Sequence, residues 1–341
     1  MDTNPAIAPV QPRRIKGMLS NQRTVALVAL IGLFIFFCAT SKTFFSYTTF
    51  VSIFDSSYYI GFLAIGVTFV IMTGGIDLSI GTVMVCCALI SGTLIKNGWP
   101  VWQCLVICVA LGGLFGLMNG FMVSVMGLPA FIATLGTMMI TRGLGSIVTA
   151  TASVTFPSRR VPDGAFRDFF KVINRELNLP AWTQGVIPTG IVPLFILAIL
   201  MGLILGKTRP GRYITALGSN KEATRLSGIN TVKWETLAYV ISGLFAGLAG
   251  ISYAATYSTL LPGTGNGFEL DAIAGTVIGG TSLSGGLGSI SGTIIGVFIM
   301  SVLKTGLPHI GLQPHYQLLF TGIVLIIAVF FDVMNRKRQR T

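Results

Sequence analysis

Few charged side chains interrupt the apolar runs of this chain, and those few are where chemistry could reside. Asp77 stands in Gly74-Gly75-Ile76-Asp77-Leu78-Ser79, between two apolar runs. A carboxylate at membrane depth is costly and marks a solute path or a proton relay. Placed just before a helix, it instead accepts from the backbone N–H groups that open that helix. The Gly-Gly before it and Ser79 after it favour the cap, and the pathway role stays open. Glu269 and Asp271, in Gly267-Phe268-Glu269-Leu270-Asp271-Ala272, are N-terminal caps of the next apolar run or part of an external mouth. Arg142 lies inside an apolar run and can snorkel or pair with an acid. His309 and His315 flank Pro314 and are sufficiently explained as loop polar residues. Cys38, Cys86, Cys87, Cys104 and Cys108 all lie in apolar runs. Cys104 and Cys108 share helical spacing, yet the reading is small apolar helix residues with no disulfide framework.

Gly202 through Gly206-Lys207-Thr208 is one residue short of a phosphate-binding loop and ends an apolar run instead of following a strand. No nucleophile elbow, HExxH helix, paired cysteine motif or carboxylate dyad is present. The sequence thus carries no catalytic constellation, and neither a metal nor a cofactor is expected on this chain.

A charged island at Lys207–Lys233 separates two membrane-length apolar runs and contains Glu222-Ala223-Thr224-Arg225-Leu226-Ser227-Gly228. It predicts a short helix with Asn220 as N-cap, Glu222 in the first turn and Gly228 at a left-handed stop. Ala223 and Leu226 share a face by their spacing. Such a helix, exposed with a small apolar face, calls for a partner to cover it.

The composition places the chain in lipid. Of 341 residues 52% are apolar and 10% charged, against about 25% charged in soluble domains. The net charge of +12 is set by topology, because 14 of the 23 Lys and Arg residues fall before residue 24, in the island, or after residue 335. That is the positive-inside pattern, and nucleic-acid binding is set aside. No cleavable signal is evident, so the run starting near Thr24 is read as a retained first span.

The predicted fold is all-α: a polytopic bundle of about ten spans at 24–40, 56–73, 79–95, 101–126, 131–150, 188–206, 235–257, 271–286, 289–306 and 316–333. Residues 41–55 read as an interfacial segment with Phe44, Phe45, Tyr47 and Phe50 at the boundary. The whole of 1–341 is one transmembrane domain. Segment 1–23 is cytoplasmic, 151–187 is an external loop, 207–233 is cytoplasmic, and 334–341 is a basic cytoplasmic tail. The five basic residues of 151–187 argue mildly for the other side. Gly74-Gly75-Ile76-Asp77-Leu78-Ser79 and Gly279-Gly280-Thr281-Ser282-Leu283-Ser284 echo one another, by internal repetition or by chance in a Gly- and Ser-rich chain. GxxxG runs at Gly112-Gly116-Gly120, Gly243-Gly247 and Gly288-Gly292-Gly296 permit close helix contact.

Four stretches carry a family resemblance. They are Met72 through Ser79, Pro129-Ala130-Phe131-Ile132-Ala133-Thr134-Leu135-Gly136, Gly211-Arg212-Tyr213 with Ala216 through Ile229, and Glu269 through Ala274 with Gly279-Gly280-Thr281-Ser282-Leu283. Over nearly its full length the chain resembles the permease subunits of bacterial ATP-binding-cassette importers for monosaccharides. The near relatives are the ribose, xylose, arabinose and galactoside systems, and the third stretch stands nearest the ribose permeases.

The resemblance implies a coupling helix seated in a cleft of an ATPase subunit. Glu222, Ala223 and Gly228 match the family element, and Thr224 replaces a second alanine. Arg225 and Leu226 are the expected contacts. It further implies a second permease subunit, expected to be an identical copy, a periplasmic sugar-binding protein, and ATP with Mg2+ held by the ATPase. The location implied is the bacterial inner membrane, with both termini cytoplasmic. The competing reading is a stand-alone transporter coupling solute to protons through Asp77, and a chain of further intramembrane acids, which that reading needs, is missing.

Overall fold

A computed structural model describes residues 22–173, 180, 183 and 185–340. The expected cytoplasmic segment 1–23 lies almost wholly outside the described residues, as does part of 151–187. Of the basic tail 334–341, the helical backbone is described to Arg340.

Twelve α-helices occur among these residues. They are α1 Gln22–Thr40, α2 Tyr47–Met72, α3 Ile80–Lys96, α4 Val101–Ser124, α5 Ala130–Val148, α6 Ile191–Lys207, α7 Arg209–Ser219, α8 Lys221–Leu226, α9 Thr231–Tyr257, α10 Phe268–Ile278, α11 Ile290–His309 and α12 Pro314–Arg340. Local chemistry sets several starts. The Ser46 hydroxyl accepts from Thr49 N at 3.3 Å and starts α2, nine residues before the first expected position. Most of the interfacial segment 41–55 is therefore the first turns of a helix. Asn230 caps α9 by accepting from Lys233 N at 2.9 Å.

Part of the expected set of spans is met. Among the described residues six helices are long and apolar enough to cross a bilayer, α6 and α7, bent by 67°, pass that test only as a pair, and Ile80–Lys96 and His315–Ile327 are shorter apolar helices. The expected span 271–286 is instead the 11-residue α10 followed by an irregular segment to Ser289. At 1.5 Å per residue α10 reaches about 16 Å, half the hydrocarbon thickness. The helix stops because Gly280, Gly285 and Gly286 adopt φ of +96°, +80° and +75°, a region closed to most side chains.

The bundle is organised around α2, which is buried along nearly its whole second half. It is wrapped by α9, α10 and α11, while α1 presents most of its surface outward. Helix α4 packs closely on α9. A Cβ on Gly112 would strike the Gly243 carbonyl, one on Gly243 the Gly112 carbonyl, and one on Gly247 the Cys108 carbonyl at 2.7 Å. Gly292 and Gly296 of α11 meet Gly279 and Gly275 in the same manner. The GxxxG runs are thus contact faces. Gly243→Leu is expected to cost at least about 1–3 kcal/mol through forced backbone displacement, read as a lowered melting temperature of the purified chain. Gly32→Ala, where no atom lies within 4 Å, is expected to change nothing.

The connection between α5 and α6 is a folded cap. It holds a 3-10 turn, Pro162–Phe169, and two short ribbons, Val154–Thr155 against Thr259–Leu260 and Val172–Ile173 against Val186–Ile187. Three of its cations are bound within the protein. Arg159 donates to Asp168 at 3.1 Å and to the Ala255 carbonyl at 2.9 Å. Arg167 donates to the Ala255 and Pro157 carbonyls and to Ser258. Lys171 donates to Asp55 at 2.6 Å. Burial lowers the pKa of both Arg159 and Arg167, with Arg159 adding to the effect on Arg167.

Candidate functional site

At one end of the bundle α6 ends at Lys207, and the chain turns through 67° into α7, with Pro210 in the first turn. α7 is a helix the sequence reading missed. Its signal was present: Thr208 before Arg209-Pro210, the order of an N-cap and an early proline. α7 leads directly into α8. Asn220 caps α8, its side chain accepting from Ala223 N at 2.9 Å. Gly228 ends it at φ +80°, with Gly228 N donating to Arg225 O at 3.0 Å and Ile229 N to Thr224 O at 3.4 Å. This is a Schellman stop.

Along α8, Glu222, Ala223, Arg225 and Leu226 are exposed, Leu226 at 78%. Thr224 faces the other way: it is buried and donates to the Asn220 carbonyl at 2.8 Å. The residue that departs from the family element therefore serves the protein's own packing. Glu222 and Arg225 pair at 2.8 Å across exposed surface, which contributes little to stability. Lys221 reaches the buried Glu235 of α9 at 2.7 Å and fastens α8 to that helix.

The platform behind α8 is a glycine junction. Gly286 N donates to Met72 O, the end of α2, at 3.0 Å. A Cβ on Gly218 of α7 would strike Met72 O and Gly286 N, and one on Gly285 would meet Gly74 N at 2.8 Å and Gly218 at 2.9 Å. The two echoing segments, 74–79 and 279–284, thus come together with the end of α7 through Gly74 and the flanking Met72, Gly285 and Gly286.

From that junction the chain turns back into the bundle at Asp77, which is buried with Ser79. One carboxylate oxygen of Asp77 accepts from Ser79 N at 3.0 Å and Ser79 Oγ at 2.7 Å. The other accepts from Ser242 Oγ of α9 at 2.9 Å. Asn119 of α4 donates to Ser79 Oγ at 2.9 Å, and Thr137 of α5 donates to Asn119 Oδ1 at 2.5 Å. Thr141 donates to Thr82 at 2.8 Å, and Thr82 to Ser79 O at 3.0 Å. Asp77 therefore both orders the entry to α3 and ties it to α9, with α4 and α5 attached through Ser79.

Beside the first turn of α3, where a Cβ on Gly81 would strike Glu269 Oε2, the α10 acids do different work. Glu269 accepts from Gly267 N at 3.1 Å, bracing the turn that starts α10, and its second oxygen has no hydrogen-bond partner among the described residues. Asp271 faces Lys304 of α11 at 3.4 Å and Gln317 and Thr321 of α12 at 3.5 and 3.4 Å. Lys304 lies over the rings of Phe268 at 4.7 Å and Tyr59 at 5.4 Å. Arg142 of α5 donates to Asn266. His309 bonds Thr43 and Thr49 at 3.2 and 3.3 Å and joins α11 to the start of α2. No group of three metal-ligating side chains occurs among the described residues.

Residues 49–329 match the family model described as the branched-chain amino acid transport system / permease component. The chain belongs to this permease family. It is 36% identical over 327 residues to the ribose import permease protein RbsC of Escherichia coli (strain K12), a match covering 95% of this chain and 96% of that protein. It is 34% identical to the same-named protein of Haemophilus influenzae, over 94% and 95% of the two chains. The autoinducer 2 import system permease protein LsrC of Photorhabdus luminescens is 32% identical, over 93% and 92%. No solved structure matches. The resemblance read from four short stretches is thus a family membership, and the membrane-helical architecture is that of a permease.

Proposed function

We propose that the chain is the membrane permease subunit of an ATP-driven importer that carries a monosaccharide, delivered by a periplasmic binding protein, into the cytoplasm. It lies in the inner membrane as one domain. Segments 1–23, 207–233 and 334–341 are cytoplasmic, and the cap at 151–187 is external. A second, identical subunit completes the pathway, and ATP and Mg2+ are held by a separate ATPase rather than by this chain. Relatives named for ribose import, similar over nearly their full length, support the solute class. The pairing of Arg159, Arg167 and Lys171 within the protein supports an external place for this loop despite its basic residues.

One observation carries the reading: α8 is capped at both ends, exposes Leu226, and rests through α7 on the junction where two interrupted segments meet. An ATPase gripping α8 would move that junction, because a ligand shifts a conformational equilibrium only through contacts that differ between states. Glu222, Ala223, Arg225 and Leu226 form the contact face. Thr224, Asn220 and Gly228 hold its shape.

The test is Leu226→Asp in the complete importer in vesicles. Co-purification of the ATPase is expected to fall at least tenfold and sugar uptake with it, while the chain remains inserted. In parallel, Leu226→Cys is expected to react with an impermeant thiol reagent only when the cytoplasmic face is open. Normal uptake by Leu226→Asp, or labelling from outside, would overturn the reading.

A further inference from the structure

A groove of about 1210 Å3 opens between α1 and α6. Both helices pack on α11 rather than on each other, so α11 forms its floor. Leu27 and Leu30, Ile199 and Leu203, and Ile294 and Phe298 line the three sides. Gly202 and Gly206 keep the α6 wall open: the nearest neighbour to a Cβ on Gly202 is Ile290 at 3.7 Å, and on Gly206 there is none within 4 Å. Along α6 the lining runs from Phe195 to Gly206, about 16 Å at the helical rise, which is the hydrocarbon depth of one leaflet. The shaft ends at Arg23 and Arg212, and Lys207 and Arg209 are exposed beside it.

An apolar shaft one leaflet deep with a cationic mouth has the chemistry of a phospholipid turned on its head: tail in the shaft, phosphate at the arginines. Basic pockets between spans at the cytoplasmic face bind anionic headgroups in this way. The other available occupants carry the wrong charge at the mouth. A second copy would bring arginine to arginine, and the segment 1–21 carries Arg13, Arg14 and Lys16 against Asp2, where like charges repel.

We propose that this groove holds one anionic phospholipid of the cytoplasmic leaflet, with its phosphate between Arg23 and Arg212. The leaflet assignment rests on the orientation proposed above, whereas occupancy and headgroup preference do not. The two therefore fail separately: a wrong orientation appears in Leu226→Cys labelling and leaves lipid retention unchanged.

The experiment is native mass spectrometry of the full-length chain after exchange into phosphatidylglycerol or phosphatidylcholine. The unsubstituted chain is expected to retain phosphatidylglycerol preferentially. Arg23→Ala/Arg212→Ala, which alters only exposed side chains, is expected to weaken that retention about thirtyfold, from about 1 kcal/mol per cation, and to leave phosphatidylcholine unaffected. Gly202→Leu fills the shaft and is expected to reduce both. Equal retention of the two lipids, no response to the arginine pair, or crosslinking of residues 1–21 or of a second copy into the groove would overturn the proposal. If Gly202→Leu fails to fold, the arginine pair decides alone.

Discussion

A single methyl group at Gly218 is expected to cut ATP-driven uptake at least tenfold in a chain that still inserts and assembles. The Cβ of Gly218→Ala would strike Met72 O and Gly286 N, the two atoms of the 3.0 Å bond that joins the end of α2 to the irregular segment after α10. Both are backbone, so neither can rotate aside, and either α7 withdraws or the bond opens. Overpacking of this kind costs about 1–3 kcal/mol, which the whole bundle can absorb but a balanced conformational switch cannot. A shift of about 1.4 kcal/mol alters such an equilibrium tenfold. Uptake in vesicles is expected to drop at least tenfold, with the ATPase held at its basal rate and no longer stimulated by the loaded binding protein. Unchanged uptake by Gly218→Ala would remove the junction from the coupling route.

Asp77 separates the importer reading from the ion-coupled one. In Asp77→Ala, Ser79 N–H, Ser79 Oγ and Ser242 Oγ lose the acceptor they share. An unsatisfied buried polar group costs about 1–3 kcal/mol, so the purified chain is expected to melt well below the unsubstituted one and to lose transport. In Asp77→Asn the amide oxygen still accepts from Ser79, and the Ser242 hydroxyl can turn to accept from the amide. Both melting and uptake are expected to stay near those of the unsubstituted chain. A proton relay predicts the reverse for asparagine, which cannot take up and release a proton. Loss of uptake in a normally folded Asp77→Asn chain would therefore favour proton coupling over a structural tie.

What was legible in the sequence was local. Asn220 and Gly228 announce the ends of α8 because capping acts within a few residues. The GxxxG runs announce contact faces because close approach demands missing side chains. The network around Asp77 and Ser79 was not legible: Asn119, Thr137 and Ser242 come from three different helices, and nothing in one window encodes the Asp77–Ser242 pairing across 165 residues. Asn119 did carry a signal, as the lone Asn in the apolar run 101–126, and so did Lys304 within the expected span 289–306. The inward turn of Thr224 and the half-length of α10 were also hidden. Hydropathy sums apolar content and is blind to the positive φ angles of Gly280, Gly285 and Gly286.

The shortness of α10 also bears on biogenesis. An 11-residue segment carrying Glu269 and Asp271 cannot partition from the ribosome-bound insertion channel into lipid unaided, since one central Asp alone costs about 2.5–3.5 kcal/mol. It must linger there until α11 emerges and brings Lys304 to Asp271. Residues 268–309 are thereby expected to enter the bilayer as a hairpin, neutralised before release, and not one helix at a time.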